Sequence, residues 1–166
     1  VFHSVSAFCT AGFSLFATGI EGFRDAPGVL LTLSVLAYAG ALGFLVLSET
    51  VDVARRELKS FGFTARIALI VTLAYSALGT GVMLAVEPSI HALPADQRLW
   101  NALFMTMAAG TTSGFNSLSV GALAPAVIVI LYLIMLVGAS PGGTGGGLKS
   151  STAAILFALI ASTLRR

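Results

Sequence analysis

The stretch Asn101–Ser117, NALFMTMAAGTTSGFNS, limits what this chain can fold into more than any other. Its helix-like part, counted from Leu99, stops after about eleven residues. At ~1.5 Å per residue that covers about half of a ~30 Å hydrocarbon core. Gly-Thr-Thr-Ser-Gly-Phe-Asn follows, with no apolar period and two glycines. A short uncharged helix that ends in a polar, glycine-containing turn, set between spanning segments, predicts a re-entrant pore loop. Irregular backbone at membrane depth persists only where protein or a water-filled cavity satisfies its polar groups.

The surroundings are those of a membrane. The chain is 57% hydrophobic and 10% charged, whereas about a quarter of the residues of a soluble domain are charged. That composition predicts an integral helical membrane protein with lipid as its surroundings; the expected location is the cell (inner) membrane, multi-pass. The net charge of +2 is carried by loops and gives no nucleic-acid signal. One cysteine, Cys9, excludes an internal disulfide and any cysteine-based metal site. The chain opens inside an apolar helix, without an initiator Met or a basic leader, and reads as a fragment of a longer protein.

The pore-loop stretch occurs twice. An offset of 102 residues lays Phe2 on Phe104, Ala7 on Ala109, Thr10 on Thr112, Gly12 on Gly114 and Phe13 on Phe115. After a small deletion, an offset of 98 lays Pro27 on Pro125 and Gly40 on Gly138. A Thr-small-Gly-Phe turn repeated together with its flanks marks an internal repeat, one membrane module in period. Residues 1–50 are then the end of one module: pore helix Val1–Phe8, turn Cys9–Ser14, connector Ala17–Pro27 and one span, uncharged from Ala26 to Ser48. Residues 51–66 belong to a charged loop that runs from Glu49. Residues 67–166 are a complete second module, with a span at Ile67–Val86, a polar loop at Glu87–Arg98 and the second pore helix.

Basic residues set the orientation. Arg55, Arg56, Lys59 and Arg66 share a side with Arg165 and Arg166 if the spans alternate, and the opposite loops hold only Arg24 and Arg98. The positive-inside rule places the first group in the cytoplasm. The last segment, Ala122–Thr163, is about 60 Å long if helical, twice what a straight span needs. It is interrupted by GASPGGTGGGLKSST. Five glycines and a proline within Pro141–Gly147 cannot stay helical, since each Gly costs about 1 kcal/mol and Pro about 3. Two half-helices, Ala122–Val137 and Lys149–Thr163, are expected, joined by a loop near membrane depth. Broken helices of this kind line ion or substrate paths in transporters.

FHSVSAFCTAGFSLF, GALGFLVL, the TSGFNS turn and above all GASPGGTGGGLKSST resemble the Trk/Ktr/HKT superfamily of potassium transporters. The resemblance covers essentially the whole chain, as the end of repeat two and all of repeat three. It implies an all-α membrane protein of helix–pore loop–helix repeats with re-entrant pore helices and one broken transmembrane helix. Four such repeats surround one pore, so the remaining repeats of the full-length chain are partners. It also implies a homodimer and a cytoplasmic nucleotide-binding regulatory subunit. Cys9, Thr10, Ala11, Gly12 and Phe13, with Thr111, Thr112, Ser113, Gly114 and Phe115, fall on the selectivity filter. Ser140, Pro141, Gly142, Gly143, Thr144, Gly145, Gly146, Gly147 and Lys149 fall on the gate. Two positions depart from the family pattern: Thr111, where a basic residue is expected, and Cys9, where Asn is common.

The chemistry agrees. A dehydrated K⁺ needs several oxygen ligands, which rings of backbone carbonyls supply. The carbonyls of Thr10, Ala11 and Gly12 and of Thr112, Ser113 and Gly114 are the candidate ligands, with glycine giving access to the dihedrals required. Thr10 and Thr112 can add hydroxyl oxygens or bond behind the filter. Phe13 and Phe115 are expected to wedge it against neighbouring helices. The pore helices aim the negative ends of their dipoles at the cavity. No cofactor is expected; the transported ion is K⁺, with Na⁺ open.

Other readings carry less. GGTGGGLKSS approaches a phosphate-binding loop, but Leu148 separates Gly147 from Lys149 and breaks its spacing. Lys149, a charge in an apolar stretch, belongs to the pore or gate, or else caps carbonyls of the broken helix. His3 and His91 lack partners at metal-ligand spacing and read as packing or loop residues. No Ser/His/Asp set or carboxylate pair lies within a span, so no enzyme is expected. A non-conducting scaffold, or a secondary transporter with its substrate site at the break, stays open.

Overall fold

The computed structural model describes residues 1–164, so the Arg165–Arg166 pair lies outside the described residues. Among those residues the chain is helical throughout, without β-strands: α1 (Phe2–Phe8), α2 (Pro27–Ala54), α3 (Phe63–Val86), α4 (Pro88–His91), α5 (Ala95–Gly110), α6 (Pro125–Leu136) and α7 (Ser150–Leu164). The offset of 98 is visible in the helix starts: Pro27 opens α2 and Pro125 opens α6. Proline suits the first turn of a helix, where its missing N–H has no partner to lose. With 28 and 24 residues, α2 and α3 reach about 42 and 36 Å, enough to cross a bilayer core. With 12 and 15 residues, α6 and α7 are each too short, and the glycine-rich break separates them as expected.

Three boundaries differ from the sequence reading. The second pore helix begins at Ala95 rather than Leu99, because Pro94 sets the entry and Asp96 in the first turn favours the positive end of the helix dipole. The polar stretch Glu87–Arg98 therefore contains α4 and the first turn of α5. The charged loop is also shorter than 51–66. Both flanking helices extend into it, to Ala54 and from Phe63, and the Glu49 carboxylate accepts the Gly62 N–H at 2.8 Å ahead of α3. Glu87 does similar work at the opposite end of α3. Fully buried, it accepts Ser89 N–H at 3.1 Å and Ala124 N–H at 2.9 Å, so one carboxylate ties the starts of α4 and α6 to the end of α3.

The centre of the fold is α5. Phe104, Thr106 and Met107 are completely buried, and burial runs on every side of its last turns, as in a helix enclosed by others. Close approach to α3 uses small residues: a side chain at Gly110 would fall on the Tyr75 ring, and one at Gly79 would meet Thr106 Cγ2 at 2.5 Å. On the other flank α1 lies against α2, where Gly40 leaves room for the Phe8 carbonyl. α2 itself leaves helical geometry at Gly43, with φ 77° and ψ 166°. That region of backbone space is open essentially to glycine alone.

Candidate functional site

Two helix ends define the site, and they are built alike. In α1, Thr10 N–H bonds Ala7 C=O at 3.0 Å and Ala11 N–H bonds Ser6 C=O at 2.8 Å. In α5, Thr112 N–H bonds Ala109 C=O and Ser113 N–H bonds Ala108 C=O, both at 3.0 Å. These are paired 5→2 and 6→1 bonds, a Schellman cap. The residue such a cap places in the left-handed region is usually glycine. Here it is threonine, with φ 50° at Thr10 and 56° at Thr112. A β-branched residue there is strained. Each hydroxyl compensates by sitting on the carbonyl just before it, Cys9 O at 2.8 Å and Thr111 O at 2.7 Å.

Two residues on, the backbone is left-handed again, at Gly12 (φ 70°) and Gly114 (φ 78°), while Ala11 and Ser113 between are not. The chain then folds back along its own helix. Phe115 packs 6.4 Å from Phe104 and Ser117 N–H lies 3.4 Å from Met105 Sδ. In the first copy Ser6 Oγ donates to Phe13 C=O at 2.9 Å, and His3 Nε2 accepts Leu15 N–H at 3.3 Å. The alternating stretches are thus clamped at both ends. Among the described residues, no donor reaches the carbonyls of Thr10, Ala11 and Gly12, or those of Thr112, Ser113 and Gly114. Thr10 and Ser113 are nevertheless buried. Ala11 and Gly114 are exposed, and Gly12 and Thr112 are partly buried. The two turns also touch: a side chain at Gly12 would fall on the Ser113 carbonyl oxygen.

The glycine-rich break lies directly beside these turns. Its two arms are bridged by backbone bonds, Gly138 N–H to Leu148 C=O at 3.0 Å, Leu148 N–H to Leu136 C=O at 2.9 Å and Ala139 N–H to Gly146 C=O at 3.0 Å. From its tip Thr144 Oγ1 donates to Phe8 C=O at 3.1 Å and lies 3.2 Å from Thr10 Oγ1. Gly146 N–H donates to Thr112 Oγ1 at 2.6 Å. One loop therefore holds both helix ends. Lys149 Nζ donates to Gly145 C=O at 2.8 Å, so its charge steadies the loop's own backbone.

The turns Cys9–Phe13 and Thr111–Phe115 and the 140–147 loop lie together in the structure. Phe115 is buried as a wedge, but Phe13 is 70% exposed, because no apolar element within these residues covers it. Thr144, which the sequence placed on the loop, reaches Phe8 and Thr10, and two participants were not assigned a site role from sequence: His3 as an acceptor for the returning strand, and Gly43. The signal for the last was present in Gly40-Ala-Leu-Gly43, two glycines within an apolar span where each costs a helix about 1 kcal/mol.

Two alike capped turns and a glycine-rich break, set among helices long and apolar enough to span a bilayer, place the chain in the all-helical class of membrane-protein folds. Residues 1–166 match the family described as "TrkH: Cation transport protein", and the chain belongs to that family. It is 36% identical over 172 residues to the Ktr system potassium uptake protein B of Vibrio alginolyticus, covering 100% of this chain and 37% of that protein. It is 30% identical over 169 residues to the protein of the same name from Bacillus subtilis (strain 168), covering 99% and 37%. It is also 30% identical over 160 residues to the potassium/sodium uptake protein NtpJ of Enterococcus hirae, covering 95% and 35%. The crystal structure of the potassium transporter TrkH from Vibrio parahaemolyticus shares the fold, with a TM-score of 0.82 at 22% identity over 99% of this chain and 35% of that one. The chain spans little more than a third of the length of these relatives.

Proposed function

We propose that this chain forms part of the pore of a K⁺-translocating membrane protein. In this reading the turns Cys9–Phe13 and Thr111–Phe115 are two re-entrant strands of a backbone-carbonyl filter, and the 140–147 loop is its gate. The observation that carries it is the set of six unpartnered carbonyls, three in each of two equivalent turns. Oxygens held in place without a donor can replace the hydration shell of an alkali cation. The helix dipoles of α1 and α5 add negative potential at the same place. The relatives' names, potassium uptake for two and potassium/sodium uptake for a third, support an alkali cation. Remaining repeats, a second copy and a nucleotide-binding cytoplasmic subunit complete the assembly in this reading.

The test is flux through the full-length protein in proteoliposomes, with K⁺, Na⁺ and a neutral solute measured in parallel. Passive K⁺ flux well above that of the neutral solute is expected. Neutral-solute uptake, or no flux, would favour a secondary transporter or a scaffold. Orientation is tested separately. Residues 55–59 face the cytoplasm and Ile90–Asp96 the outside, from the asymmetry of basic residues. In a cysteine-free background an impermeant maleimide applied outside should label Asp96→Cys and spare Lys59→Cys; the reverse pattern would invert the topology.

A further inference from the structure

The second helices of both repeats are interrupted: α2 departs from helical geometry at Gly43, which the offset of 98 lays on Pro141 within the break between α6 and α7, and Gly40 corresponds to Gly138. In an unbroken helix the carbonyls of Gly40 and Ala41 accept from the N–H groups of residues 44 and 45. Helical bonds that cross residue 43 are incompatible with the dihedrals found there. The two carbonyls instead receive the broken loop: Gly40 C=O accepts Thr144 N–H at 3.0 Å, and Ala41 C=O accepts Ser140 N–H at 3.1 Å. The fit is close on both sides. A side chain at Gly43 would lie 2.5 Å from Gly142 C and O and from Gly143 N, all backbone atoms. A side chain at Gly143 would fall on the Ala41 carbonyl oxygen.

We propose that the interruption at Gly43 is a docking notch that holds the 140–147 loop beneath the filter, making Gly43 a positioning residue for the gate. The proposal rests on the reading of that loop as a gate. Opening exchanges two bonds for two others: as the loop withdraws, α2 recovers helical geometry at residue 43, and Gly40 and Ala41 bond residues 44 and 45. Because the number of backbone hydrogen bonds is nearly unchanged, the two states stay within reach of a modest bias. The same exchange links the gate to residues 55–62, since α2 runs directly into them. A partner that alters the far end of α2 can thereby act on the notch without touching the loop.

The experiment uses the full-length protein in proteoliposomes with Gly43→Ala and Gly143→Ala, made separately. Alanine at 43 favours the continuous helix and fills the notch. Alanine at 143 blocks docking from the loop side, where the backbone has no left-handed requirement, so it adds no dihedral strain of its own. Each is expected to raise K⁺ flux about tenfold, the population shift that accompanies loss of one or two net hydrogen bonds, with the K⁺/Na⁺ ratio unchanged. A merely structural defect would lower flux or spoil selectivity instead. Wild-type flux in folded Gly143→Ala, or a fall in flux or in K⁺/Na⁺ ratio, overturns the notch. A variant with Gly142–Gly147 shortened separates the two ideas. If it raises flux while the alanine variants do not, only the notch fails; if it too behaves as wild type, the gate reading fails with it.

Discussion

Gly12→Ala is expected to abolish selective K⁺ transport by the full-length protein, whereas Gly114→Ala should reduce selectivity only partly. Both glycines are left-handed, with φ of 70° and 78°, so a Cβ costs about 1–2 kcal/mol at either on dihedral grounds alone. The difference lies in the neighbours. At Gly12 the added atom would coincide with the carbonyl oxygen of Ser113, one of the six unpartnered oxygens, and that oxygen belongs to the opposite turn. Relief requires moving a backbone, so the damage spreads to both strands. At Gly114 nothing lies within 4 Å, and the residue borders an apolar recess with Phe115, Tyr132 and Met135 on its walls. The check is K⁺ and Na⁺ uptake for both variants at matched membrane expression. Equal and mild effects would mean that the turns do not pack face to face in the working protein.

Shortening Gly142–Gly147 by several residues is expected to raise K⁺ flux strongly and to reduce its dependence on a regulatory partner, with ion preference retained. The loop reaches the site through Thr144 on Phe8 and Thr10 and through Gly146 on Thr112. Removing it strips those bonds, but Thr10 and Thr112 keep their hydroxyls on Cys9 O and Thr111 O, which support the left-handed turns from within. The left-handed dihedrals of the two turns are thus secured twice and the loop's position once. Flux and reversal potential measured with and without the proposed cytoplasmic partner give the answer. An inserted, folded deletion variant with unaltered flux and regulation would reduce the loop to a linker between α6 and α7.

The sequence by itself determined what depends on neighbours along the chain. Twenty or more apolar residues make a helix long enough to cross a bilayer core, five glycines and a proline within Pro141–Gly147 must end a helix, and a turn repeated at an offset of 102 must build the same local structure twice. Those constraints are short-ranged, and the caps at Thr10 and Thr112 obey them bond for bond. Helix ends were less legible, as at Ala95 and Ala54, because polar residues outside the hydrocarbon can continue a helix at little cost. Only the tertiary structure decided which groups face which. Nothing near Gly43 in the chain says that its break will receive residues 140–144, and nothing in either turn says that Gly12 will meet Ser113 rather than solvent. Such pairings are set by how α1, α2 and α5 pack, where a backbone approach closer than a Cβ allows is a property of two segments about a hundred residues apart. The glycines are visible in the sequence, but whether each serves a dihedral, a contact or both is settled by the partner it meets.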